Sequence, residues 1–269
     1  MSTLIRLSQF SFLAINGKDA KTFMQGYTTC DIDNLSTSNN LGALCNLQGR
    51  MVSNFRIAET NDGLMLRMHK SRIADTLAFL SKYIVFSKAK LIDSSDLWHC
   101  YGVINDKPEG QICLRVSDNR HELWSDTELP AETDDLPWQQ QDCLDGLAWI
   151  ETTTAEQYLP QMFNLHNLEA IDFNKGCYLG QEIVARAQYL GDLKRSLHTT
   201  QSDKKLEVGE ELQVSNRPIG KIVACVPHDG NYIALAVAAN RGNNIITAQA
   251  SSGSDIVLTP LSSDQKSSR

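Results

Sequence analysis

From about residue 194 the chain is a series of short apolar runs, LHTTQ, EELQV, PIGKIVACVP, NYIALAVAA and IVLTP, punctuated by Pro218, Gly220, Gly230 and Gly242. Strands this short with turn residues at these intervals predict a small all-β barrel or sandwich. The first hundred residues mix strand and helix signals instead, and the change of character near residue 194 places a boundary near residue 193. Residues 1–193 and 194–261 are the two expected units. The last eight residues, SSDQKSSR (262–269), are polar and expected to be a disordered tail. No internal repeat of fixed period is visible.

Within the first unit, LIRLSQFSFLAING alternates loosely and ends at the turn pair Asn16-Gly17. KDAKTFMQG reads as a short helix stopped at Gly26. LGALCNLQGRMVSNFRIAE reads as two strands joined through Gln48-Gly49, and DGLMLRMH as another strand. In SRIADTLAFLSKYIV, Ile73, Leu77, Leu80 and Ile84 recur at helical steps, and Ser71 can cap the helix they define. Strand signals return at LWHCYGVIN and QICLRV. The acidic, proline-containing SDTELPAETDDLP (125–137) reads as a surface loop or an exposed helix start.

The longest apolar run, Tyr232 to Ala239, is far short of the roughly 20 residues that span a bilayer. The amino terminus has neither a cationic flank nor a small-residue cleavage site, and reads as a first strand, not a signal peptide. A cytoplasmic chain with no membrane partner is expected, and the Asn34-Leu35-Ser36 sequon then has no meaning. The seven cysteines are scattered and form no C-x-x-C pair, which argues against a zinc ribbon or an iron–sulfur ligand run. A formal charge of −7 argues against broad electrostatic binding to nucleic acid, so no direct nucleic-acid contact is expected. Between Lys175 and Arg195 the balance reverses: Lys175, Arg186, Lys194 and Arg195 face only Glu182 and Asp192.

One stretch in that basic region asks for a chemical explanation. In KGCYLGQE (175–182), Gly176 and Gly180 allow a sharp turn and close approach of a second chain or ligand. Residues 181–187 can form a helix, which puts Cys177 just before a helix start. A helix amino terminus and a neighbouring lysine both favour thiolate over thiol. Cys177 is therefore either a small residue filling a glycine turn or a functional thiol. No nucleophile elbow, phosphate loop or dinucleotide fingerprint is present.

KGCYLGQE, continued by IVARAQYLGDLKRSL, closely resembles the signature of the YgfZ-type folate-binding proteins of iron–sulfur cluster biogenesis. These share a fold with the aminomethyltransferase (T-protein) of the glycine cleavage system. Lys175, Gly176, Cys177, Tyr178, Gly180, Gln181, Glu182, Ala185, Arg186, Gly191, Lys194 and Arg195 all match the family pattern. LPQMFNLHNLEAIDF upstream, FMQGYTTCDI (23–32) and ALCNLQGRMVSNFRI agree with it as well, so the likeness touches most of residues 10–197.

The resemblance implies two α+β subdomains and a small carboxy-terminal β-barrel around a central channel that takes tetrahydrofolate or a one-carbon-substituted folate. It implies an accessory factor for assembly or repair of iron–sulfur clusters, partnered by assembly proteins or by client enzymes that include tRNA-modifying ones. The chain would act as a monomer through Cys177, with Lys175 assisting the thiol. Phe10, Trp138, Tyr178, Gln181, Glu182 and Arg186 would contribute to the folate channel. Two departures stand out: Phe10 lies where a tryptophan is expected, and Leu144, before Asp145-Gly146, replaces a glutamate. The second departure weighs against the alternative activity, folate-dependent aminomethyl transfer.

Overall fold

The computed structural model describes residues 4–36, 40–191, 193–240 and 244–261; residues 262–269, expected as a tail, lie outside them. The chain begins with β1 (Leu4–Arg6), β2 (Phe10–Asn16), α1 (Ala20–Gln25), β3 (Leu41–Cys45), β4 (Met51–Thr60) and β5 (Gly63–His69). It continues through α2 (Ile73–Ser81), β6 (Lys90–Asp93), β7 (His99–Ile104), β8 (Ile112–Ser117), β9 (Arg120–Ser125), α3 (Leu136–Leu144) and α4 (Gln181–Tyr189). The remaining strands are β10 (Arg195–Ser202), β11 (Glu211–Val214), β12 (Arg217–His228), β13 (Asn231–Ala239), β14 (Ile246–Ala250) and β15 (Asp255–Pro260). Among the described residues no helix is long and apolar enough to cross a membrane.

Two antiparallel sheets form the first part, in the orders β3-β4-β5-β2-β6 and β1-β7-β9-β8. The period of two along β2 explains how they stack. Leu13 and Ile15 pack with Phe23, Met24, Ile73 and Leu80 under the helices. Phe10, Phe12 and Ala14 face the other way and meet Ile5, Leu7, Leu114 and Trp124 of the second sheet. The central strands are thus buried on both faces over most of their length, the polar Ser53, Asn54, Arg56 and Arg67 included. β1 and β2 are consecutive in sequence yet lie in different sheets, because β1 pairs with β7 and β2 with β5.

Between the sheets lies a buried ion cluster. Glu122 of β9 accepts from both Nε (3.1 Å) and Nη2 of Arg67 on β5, and from the Trp124 indole at 2.9 Å. Arg56 Nε lies 3.2 Å from the same carboxylate. Burial pushes the Glu122 carboxyl up, but Arg67 and Arg56 outweigh it and hold the group below its ordinary range. Arg120, equally buried, bridges Asp142 (2.8 Å) and Asp145 (2.6 Å) at the end of α3. Buried charges persist only when paired in this way.

The helix expected over 71–85 is shorter and differently capped. Lys70–Arg72 and Ile84–Phe86 are 3₁₀ turns on either side of α2, and the cap is His69, whose Nδ1 accepts from the Ser71 amide. The acidic stretch is a loop until α3 begins at Leu136, apart from one bridge between Glu132 and Ile5.

Of the two expected β arrangements for the carboxy-terminal part, the chain forms the barrel, closed in the order β10-β13-β12-β11-β14-β15. Ala234, Ala236 and Ala238 of β13 point inward, and the small side chains let the six strands close tightly. Ile233, Leu235 and Val237 point outward onto Cys143, Leu147, Ala148 and Ile150. A bulge between Ile222 and Ala224 turns Val223 and Val226 of β12 onto the same outer surface. This apolar face joins the barrel to α3 and the chain that follows it.

Candidate functional site

The turn carrying Cys177 is locked onto a segment far earlier in the chain. The Lys175 ammonium donates to the carbonyls of Thr28 (2.8 Å) and Cys30 (2.7 Å). The Asp172 amide donates to Thr29 O at 2.9 Å, and the Leu179 amide to Gly26 O at 3.0 Å. Thr29 Oγ1 closes the arrangement by donating to Ala170 O (2.7 Å) while accepting from the Ala43 amide (2.9 Å). Residues 23–32 and 175–182, the two motifs most distinctive in the sequence, are therefore one structural unit. Asp172 Oδ1 shapes its near end by accepting from the amides of Asn174 and Lys175.

Glycine is required where the turn meets the β3–β4 hairpin. Gly180 has φ +82° and Gly49, in the hairpin turn, φ +70°. A β-carbon on Gly49 would lie 2.9 Å from that of Ile183, and one on Gly180 would run into the Asn46 carbonyl oxygen. From Gly180 the chain enters α4, whose Val184 is buried and whose Val184 carbonyl accepts from Gln161 Nε2 at 2.6 Å.

Cys177 is exposed, whereas Cys30, Cys45, Cys100 and Cys143 are buried and Cys113 and Cys225 are half-buried. Burial raises the thiols of Cys30, to about 11, and of Cys143, to about 12, so neither is a nucleophile near neutral pH. Nothing lies within 4 Å of where a β-carbon on Gly176 would be, so the approach beside Cys177 is open. Among the described residues no group of three or more His, Cys, Asp or Glu could hold a metal ion.

The other expected site residues fall into two groups. Tyr178 is buried beneath the turn, with the Lys175 ammonium 5.4 Å from its ring centre and burial raising its phenol. Gln181 opens α4, and Glu182 and Arg186 are exposed on it one turn apart. Phe10 and Trp138 lie elsewhere, in the core between the sheets. Arg67 covers the Phe10 ring at 3.9 Å, and Gly102 and Arg120 cover Trp138. The structure does not bring these two aromatic residues to the Cys177 turn.

A cleft of about 150 Å³ opens where the sheets, α3 and the barrel meet. Gln9, His69, Gln139, Asp142, Trp149 and Glu151 supply its polar and aromatic lining, and Val208, Val223 and Val226 its barrel wall. Trp149 is held in place on two sides: its indole donates to Asp142 Oδ2 at 3.1 Å, and its ring sits 5.1 Å from Phe10 and 4.1 Å from the Arg67 guanidinium. Burial pushes the Glu151 carboxyl up, and burial with Lys70 and Arg72 lowers His69 to about 4. Gln9 Oε1 is buried without a hydrogen-bond partner. Sequence reasoning passed over Trp149, although a second tryptophan beside Glu151 and close to the Asp145-Gly146 turn was a signal that could have found it. Phe10 and Trp138 stand behind this lining, one against Trp149 and the other against the arginine that fixes Asp142.

No family model matches the chain. It is 35% identical over 245 residues to an uncharacterized protein of Haemophilus influenzae, with 86% of each chain covered. It is 29% identical over 297 residues to the tRNA-modifying protein YgfZ of Colwellia psychrerythraea, covering 94% of this chain and 90% of that one. The YgfZ of Aliivibrio fischeri is also 29% identical, over 271 residues, with 88% and 85% covered. Among solved structures, the glycine cleavage system aminomethyltransferase T from Bartonella henselae superposes with a TM-score of 0.69 over 97% of this chain and 85% of that one, at 12% identity. With its two sheets, closed barrel and glycine-locked cysteine turn, the chain has the aminomethyltransferase fold and is similar over most of its length to the tRNA-modifying YgfZ proteins.

Proposed function

We propose that this protein binds a reduced folate in the central cleft and supports iron–sulfur enzymes, tRNA-modifying ones among them, through the thiol of Cys177. The contrast between Cys177 and the other six cysteines carries this reading. It is the exposed one, and contacts from residues 26–30 and from the β3–β4 hairpin hold its turn in place. A purely structural cysteine would not need an open approach on one side and a lysine-anchored turn on the other. Lys175 acts as a positioning residue, since its ammonium is engaged by backbone carbonyls. The relatives named tRNA-modifying proteins support the client class.

The cleft fits the ring system of a reduced folate. A reduced pterin presents a row of N–H donors along one edge, and the lining offers the acceptors Gln9 Oε1, Asp142 and Glu151 beside the face of Trp149. Gln9 Oε1, buried and unpartnered, is the atom such a donor would satisfy. Bound folate would supply one-carbon chemistry or a redox-active ring; the chain's own residues bind and orient it.

Two experiments test the reading. Tryptophan fluorescence titrated with tetrahydrofolate should quench saturably, and the change should be lost or altered in Trp149→Phe. Cys177→Ser should fold with an unchanged melting temperature yet lose its support of iron–sulfur enzymes in a complementation assay. Full complementation by that variant would return Cys177 to a structural role. One observation favours a second activity, aminomethyl transfer: Glu151 lines the cleft with its carboxyl pushed up by burial, as an acid near folate would be. Methylene transfer to tetrahydrofolate, abolished in Glu151→Gln, would establish it.

A further inference from the structure

Phe86 is 99% exposed and its neighbour Val85 70% exposed, in a turn that the fold holds still. The turn, Ile84–Phe86, joins α2 to β6. Ile84 packs onto the core beneath α2, together with Tyr83 before it and Ala89 after it. The Tyr83 ring lies 5.0 Å from that of Tyr27 and 5.4 Å from that of Phe79. The Ser87 amide donates to Ile84 O at 2.8 Å, and the Lys88 amide to Asp19 Oδ2 at 2.7 Å. Anchored on both sides, the turn still presents two large apolar side chains to water, although burial of such groups is what stabilises a fold. Single exposed apolar residues are ordinary; adjacent ones on a fixed support mark a contact surface.

The surroundings of the turn show what kind of partner fits. Residues 82–90, KYIVFSKAK, carry three lysines and no acid. Lys82, Lys88 and Lys90 are all exposed. Among the described residues none of the three forms an ion pair, although the chain carries a net charge of −7. An open hollow of about 560 Å³ adjoins the turn, with Asn16, Gly17 and Asp62 on one side and Ser87 to Lys90 on the other. Asp62 is the one carboxylate in that lining. A projecting ring beside a hollow is a relief that another protein surface can match and a flat lipid surface cannot. A second copy of this chain, related by a two-fold axis, would set the three lysines against themselves, and like charges so placed repel. A partner that brings carboxylates satisfies the same lysines.

We propose that residues 82–90 are a docking site for an acidic segment of a partner protein. An apolar side chain of that segment packs against Phe86 and Val85, and its carboxylates meet Lys82, Lys88 and Lys90. The aromatic ring is the anchor that sets affinity, and the lysines at the rim set the salt dependence. The site shares no residue with the Cys177 turn or with the cleft, so it does not rest on the folate reading.

The test is fluorescence anisotropy of a labelled decapeptide of alternating glutamate and leucine, titrated with the full chain at low and high salt. Saturable binding is expected, about tenfold weaker in Phe86→Ser. Added salt should weaken it, and a Lys82→Gln/Lys90→Gln variant should lose most of that salt dependence. Both variants should melt like the parent, because the side chains they change are exposed. Absence of binding, affinity unchanged in Phe86→Ser, or equal binding of the lysine–leucine counterpart peptide would each overturn the proposal. Sedimentation with phosphatidylglycerol vesicles that is lost in Phe86→Ser would make the turn a lipid contact and overturn it. A dimer in sedimentation velocity that dissociates in the same variant would assign the surface to a second copy and overturn it too.

Discussion

Gly49 and Gly180 meet backbone to backbone, so closely that a β-carbon on Gly180 would lie 3.2 Å from the Gly49 Cα. The contact joins a hairpin turn to the turn that carries Cys177, and both residues hold positive φ. Gly180→Ala should cost about 1–3 kcal/mol from backbone strain alone, with a lower melting temperature. Gly176→Ala is the matched control, because nothing lies within 4 Å of the β-carbon it would add. That variant should melt like the parent.

Lys175→Met removes the two charge-assisted bonds to the Thr28 and Cys30 carbonyls. A loss of about 2 kcal/mol in unfolding free energy is expected. Hydrogen exchange should rise in both 26–30 and 175–180, since each segment holds the other. A change confined to one of them would mean that the lysine is not the link.

Glu122→Gln leaves Arg67 and Arg56 without their shared counter-charge between the two sheets. Removing one partner of such a buried set should cost about 3–5 kcal/mol, measured by denaturant unfolding. A loss below about 1 kcal/mol, on the scale of exposed pairs, would show that the cluster is hydrated.

Acid should destabilise the fold through His69. Burial, then the charges of Lys70 and Arg72, lower its folded pKa to about 4 from an ordinary 6.5. Between those values the unfolded chain takes up a proton that the folded chain refuses, so stability falls as pH drops from about 6.5 toward 4. His198, lowered by burial, acts in the same direction. Denaturation midpoints measured across this window should fall, and His69→Gln should flatten the slope.

The barrel strands, the β3–β4 hairpin and α4 were legible in the sequence because each follows from local periodicity and turn residues. The pairing of β1 with β7 was not, since no local signal tells a short strand which sheet it will join. The Cys177 turn was legible for a related reason: its glycines and lysine are local. Its dependence on residues 26–30 appears only in three dimensions, as does the cleft, whose lining comes from residues 9 to 226. Trp149 escaped notice because a half-buried tryptophan has no periodicity to mark it as a site residue.

The placement of β1 has a consequence for synthesis. Its partner strand ends at Ile104, so β1, once made, must wait for about a hundred further residues before it can pair. Until then none of the other strands of the second sheet exists, and a nascent chain halted before residue 99 would carry β1 without its hydrogen-bonding partner.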